Sequence, residues 1–259
     1  MARIDEIECR DALRGLAEVP DGLCGMLLTD PPYSSGGLFR GDRNQNTREK
    51  YQTSGAADAK PEFFGDNRDE RSFLLWSVLW MSECWRALAD GASAVVFSDW
   101  RQLANTADAI QAAGFTFRGI IPWAKASARP QPNSFRNDCE YAVWATKGAI
   151  DRTPAPGAKY LPGIYRYAAP GRERIHMTQK PVGLIRDLME IAPEGCVVLD
   201  PFMGSGTTAV AAVETGRHFV GFELSREYCD LANDRVRKAM GGGALRCLLT
   251  RLTRCFARS

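Results

Sequence analysis

Short runs of consecutive apolar residues alternate along this chain with longer stretches in which apolar residues recur every three or four positions. The runs at 25–29, 94–98, 115–123, 140–146, 196–199 and 218–222 have the length and continuity of strands buried on both faces. A further strand is predicted over 3–10. The stretches 73–88, 101–113, 182–191 and 207–215 carry the helical period, and 12–16 is a short helix. Strands and helices in alternation predict an α/β fold, a doubly wound and mostly parallel sheet with helices on both faces. Residues 34–71 break the pattern. They are polar and glycine-containing, with seven basic and seven acidic residues between 40 and 71, and read as a long mobile loop. Residues 151–174, rich in Pro, Gly and Tyr, read as an irregular insert, and no internal repeat is visible.

In an open α/β sheet, ligands bind beyond the carboxyl ends of the strands, so the residues at those ends matter most. The run Cys196-Val197-Val198-Leu199 ends in Asp200-Pro201-Phe202-Met203-Gly204-Ser205-Gly206-Thr207-Thr208. A strand, a turn with two glycines and a helix make a corner where a ligand can approach the backbone. The next strand ends at Glu223, placed to accept hydrogen bonds from the two hydroxyls of a ribose. A glycine pair of this kind also fits an ordinary strand-helix-strand unit. A second strand end carries Asp30-Pro31-Pro32-Tyr33. Two prolines stiffen the turn and offer carbonyls without N–H groups, so Asp30 and the Pro31 carbonyl form an acceptor pair suited to one amino group. Tyr33 adds an aromatic face for stacking a base. A proline-stiffened turn with a solvated aspartate fits the same four residues.

Further segments agree with both motifs at once. Ile7-Glu8-Cys9-Arg10-Asp11-Ala12-Leu13 precedes the Asp30 strand, and His176-Met177-Thr178-Gln179-Lys180-Pro181 precedes the Asp200 strand. Ile121-Pro122-Trp123-Ala124-Lys125, then Arg136-Asn137-Asp138-Cys139-Glu140-Tyr141-Ala142-Val143-Trp144-Ala145, and the strand and helix of 217–232 complete the set. In this order they resemble the S-adenosylmethionine-dependent DNA amino-methyltransferases that act on adenine N6 or cytosine N4, in the permuted β group, where the catalytic motif precedes the cofactor motif. About two thirds of the chain takes part, and many ordered matches are more specific than one motif.

The resemblance implies a circularly permuted Rossmann-like methyltransferase sheet. Residues 1–148 would form the catalytic half with its loop at 34–71, and 176–240 the cofactor half. Residues 149–175, or a region starting near 125, would recognise the target, and 241–259 would be a basic tail. The implied reaction is transfer of a methyl group from S-adenosylmethionine to the exocyclic amino group of a flipped adenine in double-stranded DNA, leaving S-adenosylhomocysteine. Asp30, Pro31, Pro32 and Tyr33 would be catalytic. Glu223 would hold the ribose hydroxyls and Asp11 the cofactor adenine. Thr178 and Lys180 would hold the methionine carboxylate, and Asp200, Phe202, Gly204, Ser205, Gly206 and Thr207 would line the cleft. Asp11 also reads as a helix N-cap and Lys180 as an exposed lysine ahead of a helix-starting proline. Aspartate as the first motif residue favours adenine, since relatives acting on cytosine more often carry serine there. Cytosine, RNA or a protein amide as substrate, and an inactive DNA-binding relative, are the alternatives. A homodimer and a cognate restriction nuclease are partners the family admits.

Composition supports a globular chain of 259 residues with 45% apolar content. No long apolar segment and no apolar signal core are present, so a cytoplasmic protein without membrane contact is expected. Eight cysteines without a Cys-x-x-Cys pair, and two histidines, predict reduced thiols and no metal. The net charge of +2 is uneven: from Arg235 onward there are seven basic residues and no acid, leaving −5 on residues 1–234. Residues 125–175 hold nine basic and four acidic side chains among Phe135, Tyr141, Trp144, Tyr160, Tyr165 and Tyr167. Such a stretch suits phosphate and base contact, and equally a solvated loop with packed aromatics. Gly241-Gly242-Gly243 is expected to break the last helix ahead of the tail.

Overall fold

The computed structural model describes residues 1–33, 69–125, 132–153, 158, 160–168 and 179–256, the last fifteen of these by backbone only. Its strands are β1 (Ile7–Cys9), β2 (Cys24–Thr29), β3 (Leu88–Ser98), β4 (Thr116–Ala124), β5 (Cys139–Thr146), β6 (Tyr165–Arg166), β7 (Val197–Asp200) and β8 (His218–Glu223). The described helices are α1 (Ala12–Leu16), α2 (Glu70–Ala87), α3 (Leu103–Ala112), α4 (Val182–Met189), α5 (Thr207–Glu214) and α6 (Arg226–Phe256).

All eight strands join one sheet in the order β1-β8-β7-β2-β3-β5-β4-β6. Among the described strands, only β5 runs antiparallel to its neighbours β3 and β4. Residues of period two divide the core between the two faces. Met26, Leu28, Val95, Phe97 and Val198 join Leu184, Leu188, Ala209 and Val236 of α4, α5 and α6. Leu27, Ala94, Val96 and Leu199 join Leu16, Trp80, Met81, Cys84 and Ile110 of α1, α2 and α3. Each central strand is thus apolar on both sides, which is why these segments read as unbroken runs rather than alternating ones.

Several expectations change. β3 begins at Leu88 rather than 94, and Tyr165–Arg166 of the insert expected to be irregular pairs with β4 as β6. The first strand begins at Ile7, because Asp5 turns the chain with φ 62° and ties it to β8 through Asp5 Oδ1, which accepts from the Phe219 N–H at 3.2 Å. The polar loop ends by 68, since Asp69 caps α2 by accepting the N–H groups of Arg71 and Ser72, each at 3.0 Å. The rest of that loop, 34–68, lies outside the described residues. The triple glycine does not break the last helix: α6 continues through Phe256. A glycine costs a helix about 1 kcal/mol relative to alanine, which flanking leucines and arginines of good propensity offset.

Strands of the two sequence halves interleave. β7 lies between β2 and β8, and β1 closes the edge beyond β8. Parallel pairing of β2 with β7 brings their carboxyl ends side by side although the segments are remote in sequence.

Candidate active site

The join between β2 and β7 is sealed by a side-chain bond: Thr29 Oγ1 donates to Asp200 Oδ1 at 2.7 Å across 171 positions of chain. Asp200 is 2% exposed, and the Phe202 N–H also donates to its Oδ1, at 3.0 Å. Burial pushes the Asp200 carboxyl up to about 6, with bonds from Thr29, Thr208 and the Phe202 amide offsetting part of the rise. The chain then turns through Gly204 and Gly206 at φ 50° and 77°, a left-handed backbone that disfavours other residues. At Gly206 a Cβ would also meet Ala232 Cβ at 2.9 Å, so the close packing of α6 needs the glycine.

The turn and the β2 end enclose a cleft of about 460 Å³, measured out to open solvent. It is lined by Thr29, Asp30, Lys180, Asp200, Phe202, Gly204, Ser205 and Thr207 among others. Of the residues singled out from sequence, therefore, seven share one cleft. Phe202 faces it from a cluster of rings, 5.4 Å from Trp76 and 5.1 Å from Trp80. Glu223 stands at the β8 end with both oxygens engaged, Oε2 accepting from the Gly204 N–H and Oε1 from the Ser225 N–H, each at 2.8 Å. Burial raises its carboxyl, and these amides offset part of that. Each oxygen keeps a further lone pair for a hydroxyl donor. Asp11 lies apart, in a second hollow with Arg10, Arg14 and Leu224, and caps α1 through the Arg14 N–H at 3.2 Å. Thr178 lies outside the described residues.

At the β2 end, Asp30 is a quarter exposed and both its oxygens are held. Tyr33 Oη donates to Oδ1, and Lys180 Nζ donates to Oδ2 at 2.5 Å. Tyr33 is therefore tied to the carboxylate through its hydroxyl while its ring stays partly accessible. Lys180 is 5% exposed and not the exposed lysine that its place before Pro181 also allowed. Its ammonium lies 3.3 Å from Glu140 Oε2, 3.2 Å from Tyr33 Oη and 5.1 Å from the Phe97 ring centre. Glu140 is held in turn by Lys125 at 2.7 Å. Burial raises the Asp30 carboxyl, the Lys180 charge offsetting part of it. Burial acts against the Lys180 ammonium as well, but Asp30 and Glu140 together hold its pKa above the ordinary lysine value. Burial opposes the Glu140 charge, yet Lys180 and Lys125 keep that carboxyl low.

Sequence reasoning missed Glu140 and Lys125 as members of the site. The only local signal was a glutamate in the otherwise apolar and aromatic strand Cys139–Thr146. The aromatics of the insert divide: Phe135 and Tyr160 are 98% and 84% exposed, whereas Tyr165 is buried at 4%. Residues 126–131, 154–157, 159 and 169–178 of that region lie outside the described residues. Among the described residues the cysteines are free, no His, Cys, Asp and Glu cluster could hold a metal, and no helix is long and apolar enough to cross a membrane.

The buried Asp200 yields a stability prediction with an unusual sign. Its folded pKa of about 6 exceeds the ordinary aspartate value of 3.8, so the fold favours the protonated form. The penalty vanishes only below about pH 3 and is complete above about pH 7. Asp200→Asn keeps the acceptor for Thr29 and Phe202, and is expected to raise stability by about 1–3 kcal/mol at pH 8 but by well under about 1 kcal/mol at pH 4. Urea titrations at the two pH values check this; an equal change at both would contradict it.

Comparison with known proteins follows the same outline. The sequence profile of the N6_N4_Mtase family, described as DNA methylase, matches residues 25–234. YubD of Escherichia coli K12, whose name gives it provisionally as a methylase, is 31% identical over 90% of this chain and 92% of its own. The type II methyltransferase M.HinfI of Haemophilus influenzae is 26% identical over 88% of this chain and 67% of its own. Among solved structures, the M1.HpyAVI complex with SAM superposes with a TM-score of 0.63 at 24% identity, covering 89% of this chain and 98% of that one. The cytosine-N4-specific PvuII DNA methyltransferase superposes at 0.66 with 15% identity, covering 91% and 90%. At these identities the superpositions establish the shared fold, a Rossmann-like α/β sheet.

Proposed function

This chain belongs to the DNA methylase family of amino-methyltransferases, and we propose that it moves a methyl group from S-adenosylmethionine to the N6 amino group of an adenine flipped out of duplex DNA. The observation that carries this reading is the side-by-side placement of the Asp30 turn and the Asp200 turn, joined by the Thr29 to Asp200 bond. One offers acceptors for an amino group; the other opens onto a cleft at a glycine turn.

The residues present fit the cofactor. The carboxylates of Asp30 and Asp200 face one cleft, which suits a sulfonium cation, and Gly204 leaves open space where a Cβ would sit. Glu223 would hold the ribose hydroxyls on its remaining lone pairs, with Asp11 reaching the adenine end from the neighbouring hollow. Phe202, Ser205, Gly206 and Thr207 would shape the wall. When bound, S-adenosylmethionine supplies an electrophilic methyl group.

An adenine inside the duplex cannot reach this cleft, so the nucleotide must leave the stack. Its amino nitrogen is a poor nucleophile because the lone pair is delocalised into the ring. Asp30 Oδ and the Pro31 carbonyl would accept its two N–H groups and favour a pyramidal nitrogen with its lone pair on the methyl donor. Tyr33 and Pro32 would support the base. Position and electrostatics would supply most of the acceleration, with no covalent enzyme intermediate. Asp30 would stabilise the positive charge that grows on the nitrogen, and the proton would leave afterwards to the carboxylate or to water.

The test is incubation of the protein with methyl-labelled cofactor and duplex DNA, followed by digestion to nucleosides and chromatography. N6-methyldeoxyadenosine is expected. Label in N4-methyldeoxycytidine would reassign the base, and label confined to RNA or protein would sink the DNA substrate.

A further inference from the structure

The sheet order places an unassigned carboxylate beside the proposed reaction centre. Because β5 alone runs antiparallel, its first residues lie at the end of the sheet where β3 and β4 finish, with Glu140 opposite Trp123 and Tyr141 opposite Ser98. Lys125 follows directly after β4 and reaches Glu140 Oε1. The other oxygen, Oε2, is buried and has no aligned hydrogen bond among the described residues, yet it lies 3.3 Å from Lys180 Nζ. Lys180 in turn occupies Asp30 Oδ2. Four side chains therefore form a row, Lys125, Glu140, Lys180 and Asp30, of alternating sign.

We propose that Glu140 is a positioning residue for methyl transfer: it is the second carboxylate on which the Lys180 ammonium can rest, so that Lys180 gives up Asp30 to the incoming amino group. The proposal rests on Asp30 receiving that amino group. With Lys180 seated on Asp30, a full positive charge stands next to the nitrogen that must itself become positive. Moving the ammonium elsewhere in a buried site is costly unless another anion receives it. Glu140 Oε2 is such an anion, already 3.3 Å from the ammonium, so the exchange tightens an existing ion pair rather than creating a new one. Lys125 holds the carboxylate in place from the outer side. Tyr33 and Asp200 also face Asp30, and Asp99 acts on Tyr33 from the end of β3.

Glu140→Gln keeps shape and removes the charge. In the cofactor-free protein, the Asp30 carboxyl, followed by ¹³C NMR and assigned by its absence in Asp30→Asn, should titrate at lower pH by at least about half a unit, because Lys180 is left to Asp30 alone. Lys125→Met should shift it the opposite way, since Glu140 then acts undiminished on Lys180 and Asp30. For methyl transfer, Glu140→Gln should lower kcat by about 10- to 100-fold, move the acid limb of the rate profile with the Asp30 titration, and leave the cofactor dissociation constant within about twofold. Opposite shifts from the two substitutions would not come from a purely structural role. An Asp30 titration unmoved in both variants, or a kcat within twofold of the parent in Glu140→Gln, overturns the proposal. If the parent protein transfers no methyl group to DNA, the proposed function fails separately, and the titrations still decide whether Glu140 governs the Lys180 to Asp30 pair.

Discussion

Asp30→Asn is expected to lower kcat for methyl transfer by at least about 10³-fold while the dissociation constant of S-adenosylmethionine stays within about threefold. The substitution preserves the size of the side chain and an oxygen for Tyr33, but removes the charge. That charge matters most when the amino nitrogen turns cationic in a cleft of low dielectric, where one charge-assisted hydrogen bond is worth several kcal/mol and about 4 kcal/mol corresponds to the stated factor. Of the proposed cofactor contacts, Glu223 and the glycine turn lie on β8 and after β7, and the sulfonium keeps the Asp200 carboxylate when the Asp30 charge is gone. Single-turnover kinetics with saturating cofactor separates the two quantities. Turnover within tenfold of the parent would remove Asp30 from the reaction.

Lys180→Ala should have the largest effect on the fold. Lys180 is 5% exposed and lies between Asp30 and Glu140. Removing it leaves two carboxylates facing one another in the interior with Lys125 as the remaining counter-charge, and breaking a buried pair of this kind costs about 3–5 kcal/mol. The loss should depend on pH in a definite direction. The folded pKa of Lys180 is raised, so its contribution is complete at neutral pH and below, and disappears only as pH climbs through that raised value. In the variant, Asp30 loses the charge that held its burial-driven rise in check, so it takes up a proton as pH falls. The stability gap between parent and variant is therefore largest near pH 8 and narrows toward pH 5. Urea titrations at both values measure it. A gap below about 1 kcal/mol at pH 8 would mean that the ion pair adds nothing to the fold.

Much of the fold was legible because its strands are short and doubly buried. Runs such as Met26-Leu27-Leu28 and Val197-Val198-Leu199 cannot sit at a surface, and the helical period between them fills the two faces. The boundaries were read less well where a local hydrogen bond decided them. Asp69 began α2 earlier than its apolar pattern suggested, and Asp5 shortened the first strand. The acidic strand tips and the glycine turn were also visible, since a carboxylate at the end of an apolar run has few structural uses. Glu140 was not visible as a site residue. In sequence it is one glutamate heading a strand, and nothing local says that this strand alone runs backwards.

From the chain alone came the elements, the chemistry at their ends and the order of the two motifs, because periodicity and backbone sterics act over a few residues and leave a local record. Adjacency had no such record. Thr29 meets Asp200 across 171 positions and Lys180 meets Asp30 across 150, contacts set by the order in which strands pair and by the antiparallel insertion of β5. Charge then followed from burial: Lys180, readable from sequence as a surface lysine or a cofactor ligand, is an interior cation because the packed sheet leaves its ammonium two carboxylates and almost no water.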